Sequence, residues 1–125
     1  MNYTSIEQSK KLLELGLSPE SADMMYCYWK NTRTRESGID NEPTVRVELP
    51  IEKCDIPCWS VGALLEVIPI TCDVIKDFHN RYYCSNKFND NPIDKWHITT
   101  SCKTPIDACF EMVVWLIENG YIKTK

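Results

Sequence analysis

Hydrophobic positions recur at helical spacing most clearly between Thr104 and Ile122. There Ile106, Cys109, Phe110, Val113, Leu116 and Ile117 fall on one broad stripe. Asp107, Glu111 and Glu118 mark the wet side, while Met112, Val114 and Trp115 widen the apolar surface beyond what one neighbour needs. Thr104 can cap the helix start, Pro105 suits its first position, and Asp107 sets negative charge at the positive end. Gly120 suits the left-handed closing residue, with Tyr121 and Ile122 folding back as a seal. The pattern predicts a long core helix.

Upstream, Thr4 or Ser5 caps a first helix whose apolar face is Ile6, Leu12, Leu13 and Leu17 and whose stop is Gly16. With Ser5 as cap, Gln8 completes a capping box. Ser18-Pro19-Glu20-Ser21 repeats the start signal, so a short second helix or turn runs through Ala22 and Met24. The aromatic stretch 25–30 predicts a strand and the polar stretch 31–42 a long loop. Residues 44–49 alternate, with Val45, Val47 and Leu49 inward and Arg46 and Glu48 outward, and should pair with 25–30 as a hairpin that Pro50 ends. Residues 51–59 read as a connector.

Ser60 caps a short helix, 61–68, with Val61, Leu64, Leu65 and Ile68 on one face and Pro69 as terminator. In 70–80 the alternation of Ile70, Cys72 and Val74 is read as strand over a helical alternative. Residues 81–88 and 95–101 form a second hairpin around the turn signal Asn89-Asp90-Asn91-Pro92. In its second strand Trp96, Ile98 and Thr100 share one face and His97, Thr99 and Ser101 the other. The expected fold is α+β in a single domain over 1–125, an antiparallel sheet of two hairpins with helices packed on one face.

Composition narrows the function classes. At 125 residues the chain can bury roughly two-thirds of its unfolded surface. Net charge of -4 with pI near 5.2 gives no general attraction to nucleic acid or anionic membrane. The longest uncharged run, 56–65, is too short to span a bilayer, and the first residues lack a signal-peptide pattern, so a cytoplasmic setting is expected. Seven cysteines, an odd number, fit reduced thiols better than a disulfide framework.

Three passages together, Thr4 to Met25, Asp55 to Pro69 with its Trp59-Ser60 helix start, and Thr104 to Ile122, carry a resemblance. They resemble small uncharacterised proteins of prophages and other mobile elements in gut anaerobic bacteria. The resemblance touches about half the chain, implies a mobile-element origin and an intracellular setting, and transfers no functional residues.

Three kinds of chemistry have candidates. Zinc wants four soft or imidazole ligands, commonly as two close pairs. Cys54 and Cys58 supply one pair at a loose spacing, and Cys72, His79, Cys84, His97 and Cys102 follow singly. Cys27, Cys72, Cys84 and Cys109 read more simply as small core residues. Cys58 at a helix start is a candidate nucleophile, with His79 or His97 as base and Asp73 or Asp94 orienting it. No spacing links these residues. Lys30, Arg33 and Arg35 beside Tyr28 and Trp29 form a candidate nucleic-acid loop, but Glu36, Asp40 and Glu42 cancel its charge, so no nucleic acid is expected.

Paired carboxylates, a phosphate-cradling glycine loop and a nucleophile elbow are all missing from the sequence, and no cofactor or metal site is implied. The expectation is therefore a non-enzymatic accessory protein acting through protein–protein contact, with a protein partner or self-association. The alternatives are a small Cys/His metal-binding or cysteine-dependent enzyme, or a nucleic-acid accessory factor. Trp59, Met112 and Trp115 are the candidate border of a hydrophobic contact surface, the competing reading being that all three are core.

Overall fold

The computed structural model describes residues 2–45, 55–69, 72–86, 97–122 and 124, and within them the fold is α+β with antiparallel pairing throughout. Helix α1 (Ile6–Glu14) starts at Ser5 with the reciprocal bonds of a capping box. Gln8 N–H donates to the Ser5 hydroxyl at 3.1 Å, and Ser5 N–H donates to Gln8 Oε1 at 3.0 Å. Gly16, at φ 95°, ends it. The repeated start signal yields one 3-10 turn, Pro19–Ser21. Helix α2 (Val61–Val67) is capped by Ser60, whose hydroxyl accepts from Ala63 N–H. Helix α3 (Pro105–Glu118) is capped by Thr104 and closed where Tyr121 N–H donates to the Leu116 carbonyl past Gly120.

The segment 25–30, expected as one strand, breaks at Cys27 into β1 (Met24–Tyr26) and β2 (Tyr28–Lys30). Strand β1 is the centre of a three-stranded sheet, with β4 (Thr44–Val45) on one side and β5 (Ile56–Cys58) on the other. The expected pairing of 44–49 with this region is present where described, as Met24 opposite Val45 and Met25 opposite Thr44. Its inward face is not. Val45 is 74% exposed because it sits on an edge strand, whereas Val47 and Leu49 lie outside the described residues. The connector reading of 51–59 also fails at its end, since residues 56–58 form β5 despite Pro57. That proline is opposite Met25 on an edge strand, where a missing N–H is tolerated.

The strand read within 70–80 is present as β6 (Asp73–Lys76), paired with β7 (Tyr82–Ser85) across the turn at Asp77–Arg81. The Asp77 carboxylate accepts from His79 and Arg81 N–H groups, and Asn80 takes φ 58°. These bonds hold the Asp77 carboxyl below the usual carboxylate range, the one from Arg81 contributing most. Part of the expected second hairpin also exists, as bridges from β7 to Cys102 and Ile98. Three steps along β7, from Tyr82 to Ser85, face four steps from Ile98 to Cys102, so one residue bulges out of register. The Thr99 hydroxyl fills the gap in the ladder, accepting from Cys84 N–H at 2.8 Å. Thr99 is buried, His97 is half-buried, and Ile98 is 49% exposed, so the His97/Thr99 side faces inward. Trp96 and the turn at 89–92 lie outside the described residues.

The core gathers on α3. Ile106, Ala108, Cys109, Met112, Val113 and Leu116 are buried there, packed with Leu12 and Leu17 from α1 and its exit, Trp59 before α2, and Leu64 within it. A second anchor lies near the N-terminus. Thr4 N–H donates to the Trp59 carbonyl at 2.8 Å, and Trp59 N–H donates to the Thr4 hydroxyl at 3.0 Å.

Candidate functional site

The three residues expected to border a contact surface are not brought to one. Trp59 and Met112 are fully buried, which corrects that expectation for both. The physical reason is that α2 is too short to stand alone and seats on α3, so the extra apolar width of α3 is consumed inside the chain. Trp59 further donates its indole N–H to the Ser21 hydroxyl at 2.9 Å. Trp115 is half-buried, stacked against His97 and Tyr121 of its own chain.

The candidate nucleophile is equally enclosed. Cys58 is fully buried beside Thr4, to whose carbonyl its thiol donates at 3.3 Å. Burial pushes that thiol up, chiefly by desolvation of the charged form, which is the wrong direction for a nucleophile. Its seven-residue helix therefore does not activate it. His97 is committed to the Trp115 stack, and His79 occupies the exposed turn after β6. Among the described residues no group of three or more His, Cys, Asp and Glu is placed to hold a metal ion, and Cys54 lies outside them. A recess of about 410 Å³ between Leu17, Val67 and Tyr121 is apolar, and the Ser21 hydroxyl at its wall is engaged by Trp59 and the Ser18 carbonyl.

What stands away from the core is a hairpin arm made of β2 and β3 (Ser37–Ile39). Its register sets Tyr28 opposite Ile39, Trp29 opposite Gly38 and Lys30 opposite Ser37. At its base Tyr28 N–H donates to the Asp55 carboxylate at 2.8 Å and Asp40 N–H to the Cys27 carbonyl at 2.9 Å. At its tip Asn31 N–H donates to the Glu36 carbonyl, while the Asn31 side-chain oxygen accepts from Arg33 and Thr34 N–H groups. Arg35 takes φ 61°, a left-handed value that a tight turn imposes on it. The turn is thus fixed by hydrogen bonds rather than by burial.

The side chains on this arm are exposed. Tyr28 is 40% exposed and Trp29 44% exposed, and every residue from 28 to 37 is exposed. The Trp29 indole lies over Gly38, so closely that a Cβ there would stand 2.9 Å from the ring. Lys30, Arg33 and Arg35 against Glu36 make the tip of the arm basic, while Asp40 and Asp55 stand at its base. Sequence reasoning reads 31–42 as loop and misses the arm. One signal was available, since neighbouring strand residues point to opposite faces, so Tyr28 and Trp29 together need two covered faces that a hairpin lacks.

No family model matches the chain, and no curated protein or solved structure matches it. Among the described residues no helix is long and apolar enough to cross a membrane.

Proposed function

We propose that this chain is a non-enzymatic accessory protein of a phage or other mobile element, working in the cytoplasm through protein–protein contact, with the β2–β3 arm as its contact element. One observation carries the reading: an ordered hairpin holds Tyr28, Trp29, Arg33 and Arg35 outside the core. Trp, Tyr and Arg are the residue types that dominate binding energy at protein interfaces, because each presents a large, rigid or multiply donating surface. The basic tip beside the aromatics fits a partner surface with an apolar notch flanked by carboxylates. Neither a catalytic constellation nor a reactive thiol competes for the role at this place.

The experiment compares the wild type with a variant carrying Trp29→Ala and Arg33→Glu as baits in nuclease-treated lysate of a host cell. A partner that binds the wild type should bind the variant at least ~30-fold more weakly, since one interface anchor contributes about 2 kcal/mol or more. The variant should melt as the wild type does. Equal retention of the partner by both baits would remove the arm from the reading. Binding that disappears on nuclease treatment would replace it with a nucleic-acid function.

A further inference from the structure

The hydrogen bonds of the arm fix which backbone groups point away from it. Asn31 N–H donates to the Glu36 carbonyl at 2.7 Å and Asp40 N–H to the Cys27 carbonyl at 2.9 Å, which makes 31/36 and 27/40 hydrogen-bonded pairs. Such pairs alternate along an antiparallel ladder, so Tyr28/Ile39 and Lys30/Ser37 between them turn their N–H and C=O groups outward. On the β2 side one of these groups is taken, because Tyr28 N–H meets the Asp55 carboxylate at 2.8 Å. On the β3 side the backbone N–H and carbonyl groups of Ser37 and Ile39 have no partner among the described residues. The same side continues uncovered into the edge strand β4, where Val45 is 74% exposed.

The side chains along this edge have one sign of charge. From Glu36 to Val45 the chain carries three acids, Glu36, Asp40 and Glu42, and no base. Residues two apart on a strand share a face, so Glu36 and Asp40 flank Gly38 on the face where the Trp29 indole lies over that glycine. A side chain set beside Gly38 from a neighbouring strand therefore meets an aromatic ring with a carboxylate on either hand, a setting that favours a cation. The opposite face offers Ile39, half-buried, and the exposed Tyr28, which favour an apolar neighbour.

We infer that the β3 edge is a strand-addition site for an extended protein segment in which Lys or Arg alternates with apolar residues. The outward groups of Ser37 and Ile39 supply backbone hydrogen bonds and register. A Lys or Arg of the incoming strand, laid on Trp29 between Glu36 and Asp40, supplies selectivity. A second copy of this chain is a poorer occupant. The self-pairing that uses every outward group of Ser37 and Ile39 is centred on Gly38, and it sets Glu36 of one copy directly opposite Asp40 of the other. Like charges so placed are destabilising, and charge on an edge strand guards it against its own kind. The inference rests on the arm being the contact element, and it gives the partner a cationic strand in addition to the carboxylates that suit the tip.

The test titrates the isotope-labelled full chain with an end-blocked peptide of alternating Val and Lys, and with its Val and Glu counterpart, following backbone amides by NMR. The Lys peptide should slow amide hydrogen exchange at Ser37 and Ile39 and bind about tenfold more tightly than the Glu peptide, the weight of two exposed ion pairs at the upper end of their range. Ile39→Pro removes one outward donor while sparing the ladder to β2, a change that edge strands tolerate, and should weaken the Lys peptide. Glu36→Lys with Asp40→Lys, which alters no backbone group, should reverse the preference between the peptides and keeps the test decisive if the proline variant does not fold. Protection at amides other than Ser37 and Ile39, equal affinity for both peptides, or no binding of the Lys peptide at millimolar concentration would each overturn the strand-addition site. Any of these results, with a partner still lost from the Trp29→Ala, Arg33→Glu bait, removes the edge and keeps the arm, whereas equal retention by both baits removes the arm itself.

Discussion

The imidazole of His97 lies flat on the indole of Trp115, with ring centroids 4.3 Å apart and planes 2° from parallel. The bulge after β7 makes this possible by turning the His97/Thr99 side of the segment inward. Asn86 fixes the position further, giving its N–H to the His97 carbonyl and accepting the His97 N–H on its side-chain oxygen. A polar ring thereby closes an apolar helix face.

Stability should fall as His97 becomes charged. Burial lowers its pKa from the ordinary imidazole value, with Glu111 pulling the other way. Because the folded value lies below the unfolded one, the unfolded chain binds the proton first as pH falls. The contribution is fully present above the unfolded pKa of ~6.5 and is lost as pH drops through the folded value. Urea midpoints of the wild type should decline over that window. His97→Phe, which keeps a ring on Trp115, should decline less, and equal slopes in the two proteins would refute the account.

Trp59 should behave as core. Trp59→Ala is expected to cost about 3–5 kcal/mol by urea denaturation, the range for deleting a buried aromatic side chain. Part of this belongs to the bond with Ser21. A loss below about 1 kcal/mol, the usual span for surface changes and single hydrogen bonds, would contradict its complete burial.

Thr4→Val should expose the value of one hydroxyl. That oxygen accepts from Trp59 N–H at 3.0 Å and lies 2.8 Å from Ser9 Oγ. Valine leaves a buried donor without its acceptor, so about 1–3 kcal/mol of stability should be lost, while Thr4→Ser should retain most of it. Equal unfolding midpoints for the Val and Ser variants would show that the hydroxyl is dispensable.

Gly38→Ala separates the arm from the core. The added methyl needs the space now held by the Trp29 ring, an exposed side chain free to swing off the hairpin. Global melting should stay within the about 0.5 kcal/mol typical of surface changes. Indole proton resonances assigned to Trp29 should shift, and any partner affinity should drop. An unfolded Gly38→Ala protein would place the arm within the cooperative core instead.

Much of the fold was readable because its signals are local. Ser5 with Gln8, Ser60, and Thr104 with Pro105 each mark a helix start by side-chain chemistry a few residues long. The strands were less legible. Cys27 divides an aromatic run between two different partners, and Pro57 disguises β5 as connector, because pairing depends on residues distant in sequence. The contact surface on Trp59 and Met112 was misread for a related reason. Apolar width on α3 shows how much must be covered, but not that α2 and the segment before it do the covering. The arm arises from cross-strand register, which periodicity alone does not fix.

The Thr4 anchor has a consequence for how the chain is made. Tyr26 donates its hydroxyl to the Thr4 carbonyl at 2.7 Å, Trp59 closes on the same residue, and Gln8 reaches Asp107 at 2.7 Å. Translation delivers these partners in that order, so α1 leaves the ribosome long before the surface that covers it. During synthesis the bonds among Thr4, Tyr26 and Trp59 can close early, but the apolar faces of α1 and α2 lack the cover of α3 until it emerges. A ribosome that stalls before Thr104 would present quality-control proteases with an intermediate whose core lacks the helix on which it gathers.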